Sequence, residues 1–435
     1  MSPEQYVATV LQTPPRAFNG FVPPNILALR AAPASWQFGM EVLNGAHSLL
    51  VPGARKLDRV CVSRLNHAAI NATWYKVPGA EDSYVIAVND GLVEVLDLIA
   101  GDIFGPGSEE QAELLSISSE AVKVATPRVR SRIGAFLETG FPLANEPPTS
   151  ISSGRQSLVR SLVADALRFA VLHEVAHILL HHDQAPQAVL RNRYTTTAIA
   201  IFSMEAEHQA DDLAIRLHAS LRSTEDLKFP GMEFAGVVLF FGVLALFERH
   251  QNYERAFDTP HHHPPAYERL YRLRLDMSAG GGHKYWTIPE GDGFRLARMD
   301  LKPSATAVEF GDVVARVMLD TLRGLGKEGE LFSPMNSLMN TFLDETDEHK
   351  AIDTTCDKLS EWFFLGSPTR IMQHLAELLV QAPSVAKTDE DKEDQRRMQL
   401  LIDAFVRKVR HLSGVCSDVS SALDRFQSFV QAPTS

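Results

Sequence analysis

Between Phe169 and Leu179 the chain is apolar at every position except three: His173, Glu174 and His177. A helix that is apolar on all sides is a buried helix. Two imidazoles and a carboxylate buried without partners are costly. The segment is therefore restricted to folds that supply a partner, and one metal ion can serve all three groups. Histidines at i and i+4 share a helix face, so both rings can converge on one ion. Glu174 lies one step round, beside the remaining coordination position. There it can take a proton from a water whose pKa the metal lowers. The pattern His-Glu-x-x-His thus predicts a zinc site with three protein ligands, an open fourth position, and Glu174 as general base.

Three downstream residues compete for the third ligand. Asp183 stands six residues after His177, a spacing that requires a sharp turn at glycine; here the turning position is Leu180, which resists positive φ. His181, His182 and Asp183 read more simply as the polar end of the helix. Glu207 and Asp211 are i and i+4 and share one helix face. Glu207 can complete a His-His-Glu site while Asp211 accepts a hydrogen bond from a ligand histidine and fixes its tautomer. Glu205 points to another side of that helix, and its partner at i+4 is Gln209, a poorer match to that supporting role. Ala210 and Ala214 would let this helix approach the first one closely.

The chain of 435 residues is 45% hydrophobic, enough for a sizeable core spread over two or three domains. Its net charge of −12 without a basic run argues against nucleic-acid binding. Cys61, Cys356 and Cys416 are far apart and form no Cys-x-x-Cys pair, which disfavours a thiolate zinc site and a disulfide framework and fits a reducing, cytoplasmic setting. The start of the chain lacks the features of a signal peptide. The apolar run Phe234 to Phe247 falls short of the ~20 residues a membrane span needs and reads as a core helix, so no membrane partner is expected.

Residues 1–55 read as a Pro-rich N-terminal cap. Residues 57–75 and 83–89 read as strands, Tyr84 to Val88 most clearly, and Leu92 to Ile99 as a helix. A loop at 140–154 carries Pro142, Pro147 and Pro148. Helices follow over about 157–182, 195–220 and 232–250, and the Gly-rich segment 277–293 is the best boundary. A helical C-terminal domain occupies 294–435, with a helix at 308–325. The predicted class is α+β: a mainly helical zincin-type metallopeptidase domain over 56–276 with a small edge sheet, plus the helical C-terminal region.

His-Glu-x-x-His followed by Glu207-x-x-Ala210-Asp211 resembles the gluzincin metallopeptidases, more narrowly the family of HtpX and the CAAX prenyl proteases. Asn71-Ala72, Tyr84 to Val88 and Gly91-Leu92 look like that family's edge strand and following helix. His263-Pro264-Pro265-Ala266-Tyr267-Glu268-Arg269-Leu270 looks like its His-Pro…Arg segment. The resemblance runs over about residues 60–275. It implies that His173, His177 and Glu207 bind zinc, that Glu174 is the base, that Asp211 supports a ligand, and that the edge strand binds the substrate backbone. His263, Tyr267 and Arg269 become candidates for stabilising the oxyanion, with a structural ion pair as the other reading of Arg269. The family's membrane spans are missing from the sequence. The resemblance therefore points to soluble relatives, such as small cytoplasmic gluzincins or phage-exclusion proteases of the Lit type.

The expected activity is a zinc-dependent endopeptidase acting on a protein or peptide. A narrower alternative is a regulator protease that cleaves one host or repressor protein, with 294–435 as its sensor or partner module. A zinc scaffold without activity fits less well, because a purely structural site has no use for Glu174.

Overall fold

The structure is a computed structural model. It describes residues 1–11, 36–50, 57–65, 70–105, 119–139, 148–182, 188–191, 198–201, 204–223, 235–255, 266, 268–270, 272–273, 334–365, 371, 375 and 389–413. The expected helix at 308–325, the Gly-rich segment 277–293 and loop residues 140–147 lie outside these. The fold is α+β and mostly helical with a small three-stranded sheet. In chain order come α1 (Pro3–Tyr6), α2 (Gln37–Ser48), β1 (Val60–Leu65), β2 (Ala72–Lys76), β3 (Tyr84–Asn89), α3 (Asp90–Phe104), α4 (Ser119–Thr139) and α5 (Ser153–Leu179). They are followed by β4 (Ala188–Arg191), β5 (Ala198–Ile201), α6 (Met204–Ser223), α7 (Ala235–Arg255), α8 (Pro334–Asp344), α9 (Glu348–Leu365) and α10 (Asp389–Ser413). The described residues fall into two compact units: one takes those of 1–129 and 148–273, the other 130–139 and 334–413.

In the first unit α5 is the central element, with α3, α6 and α7 packed against it. Its C-terminal half is buried on every side, as an all-apolar helix requires. Gly236 lets α7 cross it: a Cβ there would stand 2.5 Å from the Asp165 Cβ and 2.6 Å from the Ala166 nitrogen, closer than any side chain could be accommodated. Ala210 and Ala214 are fully buried and give α6 the close approach that small residues permit.

The sheet has the order β1-β3-β2, with β1 parallel and β2 antiparallel to β3. Expectation and structure differ here. Tyr84 to Val88, likened above to an edge strand, is the central strand and is wholly buried. Five apolar residues in succession suit a strand covered on both faces. Among the described residues β1 and β2 are the two edges of this sheet; β1 is largely buried and β2 only half-buried.

A second difference concerns 195–220. Ala198-Ile199-Ala200-Ile201 alternates small and β-branched residues and pairs antiparallel with Ala188–Arg191, so the helix begins only at Met204. The second unit contains α8, α9 and α10 around an apolar core that includes Met339, Leu359, Trp362, Phe363, Leu401 and Phe405. Among the described residues no helix is long and apolar enough to cross a membrane.

Candidate metal centre

The helical spacing of α5 puts His173 and His177 one turn apart on the face turned toward α6. Their rings are nearly perpendicular, 86° apart, and their Nε2 atoms face each other at 3.0 Å. From α6, Glu207 enters the same space: its Oε2 is 3.3 Å from His173 Nε2 and its Oε1 3.6 Å from His177 Nε2. All three residues are buried. Among the described residues this is the single His/Cys/Asp/Glu group compact enough to hold a metal ion.

The donor set fits a small divalent cation. Ligand bonds of ~2.0–2.1 Å to a tetrahedral ion imply donor–donor separations of roughly 3.3 Å. The three separations here, 3.0, 3.3 and 3.6 Å, scatter around that value. Two imidazole nitrogens facing each other at 3.0 Å must share either a proton or a cation between them. Nitrogen and carboxylate donors without thiolate suit zinc and its neighbours in the first transition row.

Behind the donors stands a second layer of charge. Asp211 Oδ1 is 3.0 Å from His173 Nδ1. The same carboxylate is held by a fork from Arg269, Nε to Oδ2 at 2.7 Å and Nη2 to Oδ1 at 2.5 Å. The guanidinium also lies 3.8 Å from Glu207 Oε2 and over the ring of Phe241 at 4.9 Å. Burial opposes protonation of His173, but hydrogen bonds to Asp211 and Glu207 outweigh it and lift its pKa to about 9. His177 moves the other way: burial, then the neighbouring His173, hold it well below the usual imidazole value. Burial would raise Asp211; the Arg269 charge and hydrogen bonds prevail and bring it down to about 2.

An open cleft of about 240 Å³ lies in front of the cluster. Ile70 to Trp74 of β2 and the segment leading into it form one wall; Ala170, Phe240, Leu244 and Glu248 contribute the other side, with His173, Glu174, His177, Glu207 and Arg269 at the base. Glu174 is buried at 7% exposure yet reaches this cleft, beside the His-His-Glu cluster. The His-Glu-x-x-His residues, Glu207, Asp211 and Arg269 are thus brought together. Glu205 is exposed and directed elsewhere, accepting from Gln209 Nε2 at 3.2 Å. Arg269 spends two donors on Asp211, the ion-pair arrangement. Asp183, His263 and Tyr267 lie outside the described residues.

Two features escaped sequence reasoning. Glu248 Oε2 accepts a hydrogen bond from the Ala266 nitrogen at 2.7 Å, tying the stretch that carries Arg269 to α7. The signal was slight: a carboxylate ending an apolar helix run. His182 packs its ring against His177, with centroids 5.0 Å apart. It read only as a polar helix end.

Paired histidines on one buried helix, a glutamate from the next, and a cleft walled by β2 together form an arrangement compatible with metal binding. The family model of Peptidase U49, a Lit-like metallopeptidase family, matches residues 109–288. That span contains His173, Glu174, His177, Glu207, Asp211 and Arg269, and leaves out the three-stranded sheet and helices α8, α9 and α10. No curated protein and no solved structure matches the chain. The similarity supports a peptidase acting on protein or peptide, and the His-His-Glu cluster is compatible with zinc.

Proposed function

We propose that this chain is a zinc-dependent endopeptidase whose ion is held by His173 Nε2, His177 Nε2 and the Glu207 carboxylate. The observation that carries the reading is the buried His173–His177–Glu207 cluster with Glu174 at its edge, facing the same cleft. A zinc ion held there supplies Lewis acidity toward the scissile carbonyl and lowers the pKa of water. Glu174 accepts the proton of the attacking water and passes it to the departing amine. Asp211 keeps the His173 proton on Nδ1, so that Nε2 presents its lone pair. Arg269 holds Asp211 ionised and fixes its angle. The open side of β2 offers backbone groups to an extended peptide, as an added strand would use them. Phe240, Leu244 and Ala170 give a neighbouring substrate side chain an apolar wall.

Hydrolysis of one specific protein is a narrower form of the same reading. It is favoured by the second compact unit, which has its own core and none of the site residues, and so is available for recognition. Broad cleavage of unfolded casein would count against this narrower form.

The test combines metal content and one substitution. Untagged, unchelated protein should carry about one zinc per chain. Glu174→Gln should keep that zinc and lose turnover by at least about 10³-fold, because a carboxamide cannot accept the proton. Protein free of any transition metal would sink the metal centre; near-normal turnover in Glu174→Gln would remove Glu174 as base.

A further inference from the structure

The two histidines of the cluster are supported differently. His173 leans on a carboxylate that an arginine clamps. His177 leans on another histidine: its Nδ1 is 2.8 Å from Nδ1 of His182. His182 Nε2 in turn lies 3.4 Å from Gln209 Oε1, and Gln209 Nε2 donates to Glu205 Oε1 at 3.2 Å. The line of contacts starts in the buried centre, crosses from the end of α5 to the first turns of α6, and ends at an exposed carboxylate.

Backbone geometry brings His182 to this place. Leu180 closes α5 with φ −84° and ψ 8°, its N–H still bonded to the Ala176 carbonyl at 2.9 Å. His181 then takes φ +55°, the left-handed region, where a residue with a Cβ is disfavoured. This turn reverses the chain and returns His182 to the side of α5 that His177 occupies, five residues back.

Hydrogen-bond chemistry gives the line a direction. His177 Nε2 is the nitrogen that faces His173 and Glu207, so it must present a lone pair and the proton sits on Nδ1. That proton needs an acceptor, which fixes the lone pair of His182 on its Nδ1 and its proton on Nε2. The proton on Nε2 finds an acceptor in Gln209 Oε1, which turns the Gln209 amide N–H toward Glu205. Each step permits one arrangement, and all arrangements agree.

We infer that His182 is the positioning residue of His177, holding it in the tautomer that presents Nε2 to the ion, with Gln209 and Glu205 orienting His182. The inference rests on the metal reading above. The asymmetry has a chemical consequence. The carboxylate behind His173 draws its proton strongly and makes it the more basic donor, whereas the neutral imidazole behind His177 orients that ring and adds no charge. The cluster therefore carries one negative ligand and one negative support, and its charge is no greater on the His177 side.

Zinc affinity of the full chain, measured by competition with a chromophoric chelator, tests the inference. His182→Ala should weaken zinc binding about 10- to 100-fold, the usual effect of removing such a support. His182→Asn, whose Oδ1 can take the place of Nδ1 as acceptor, should recover most of that loss. Thermal unfolding of the metal-free proteins should differ little among the three, since the role concerns the ligand's orientation. Unchanged affinity in His182→Ala, or His182→Asn as weak as His182→Ala, would overturn the assignment while leaving the metal centre standing. Wild-type protein that takes up no zinc would overturn the metal centre itself, and this support with it. Should His182→Ala fail to fold, Gln209→Leu reads the same line from its other end. It should lower affinity several-fold by removing the acceptor for His182 Nε2, and no loss there would count against the inference.

Discussion

Helices α5 and α6 bury charge: His173, Glu174, His177, Glu207, Asp211, Asp165 and His218 are all nine-tenths or more hidden from solvent. In α8, α9 and α10 the buried polar groups among the described residues are Thr355 and Ser360, hydroxyls within a core of Phe, Leu, Met and Trp. The C-terminal core gains from every side chain it buries. The first region gives up part of that gain to desolvate ionisable groups, and such groups are neutral in stability at best even when paired. A protein keeps that kind of interior where the groups do something other than hold the fold. The same contrast predicts which substitutions change metal affinity and which change stability.

Glu207→Ala should have the largest effect on the charged region: zinc content should fall from about one per chain to near none. Glu205→Ala and Asp183→Ala should each retain the ion. Elemental analysis with a chelator challenge separates the variants, and retention in Glu207→Ala with loss in either of the others would move the site. In the apolar region Phe405→Ala should destabilise by about 3–5 kcal/mol, through lost burial and the cavity left behind. Denaturant unfolding measures that loss, while zinc affinity should stay at the wild-type value; a parallel fall in affinity would break the contrast between the regions.

Asp211→Asn comes next, with zinc affinity or turnover reduced about 10- to 100-fold. The amide cannot draw the His173 proton as the carboxylate does, and Arg269 loses its nearest ionic partner. A wild-type affinity would show that His173 needs no charged support. The smallest effect is expected at His181→Gly. Glycine adopts φ +55° freely, so stability should rise by no more than about 1 kcal/mol, with zinc binding kept. A clear loss of stability, seen as a lower Tm, would mean that the His181 side chain holds the turn.

The His-Glu-x-x-His helix was legible because both of its signals are local. Apolar residues on every side announce burial, and i to i+4 spacing sets a shared face whatever surrounds the helix. Glu207 and Asp211 were legible as a pair for the same reason. The edge of the sheet was not: β2 and β3 both carry strand-forming residues, and which one has an open side depends on where β1 pairs. The start of α6 was misjudged because Ala198 to Ile201 suits a helix or a strand, and pairing with Ala188–Arg191, not propensity, decides. His182 was read as a polar helix end, since a φ of +55° at His181 leaves almost no trace in composition.

The sequence by itself determined what repeats over one or two helical turns: the His173–Glu174–His177 face, the Glu207–Asp211 face, the small residues at Ala210 and Ala214. Only the tertiary structure decided what meets across elements. It brought Glu207, not Glu205, between the two histidines; it set Arg269 onto Asp211 from 58 residues away in the chain; it placed the start of β2 along the wall of the cleft. The physical reason is that local faces follow from backbone geometry fixed by 3.6 residues per turn. Convergence of α5, α6 and β2 depends on packing between elements distant in the chain, which no local repeat encodes.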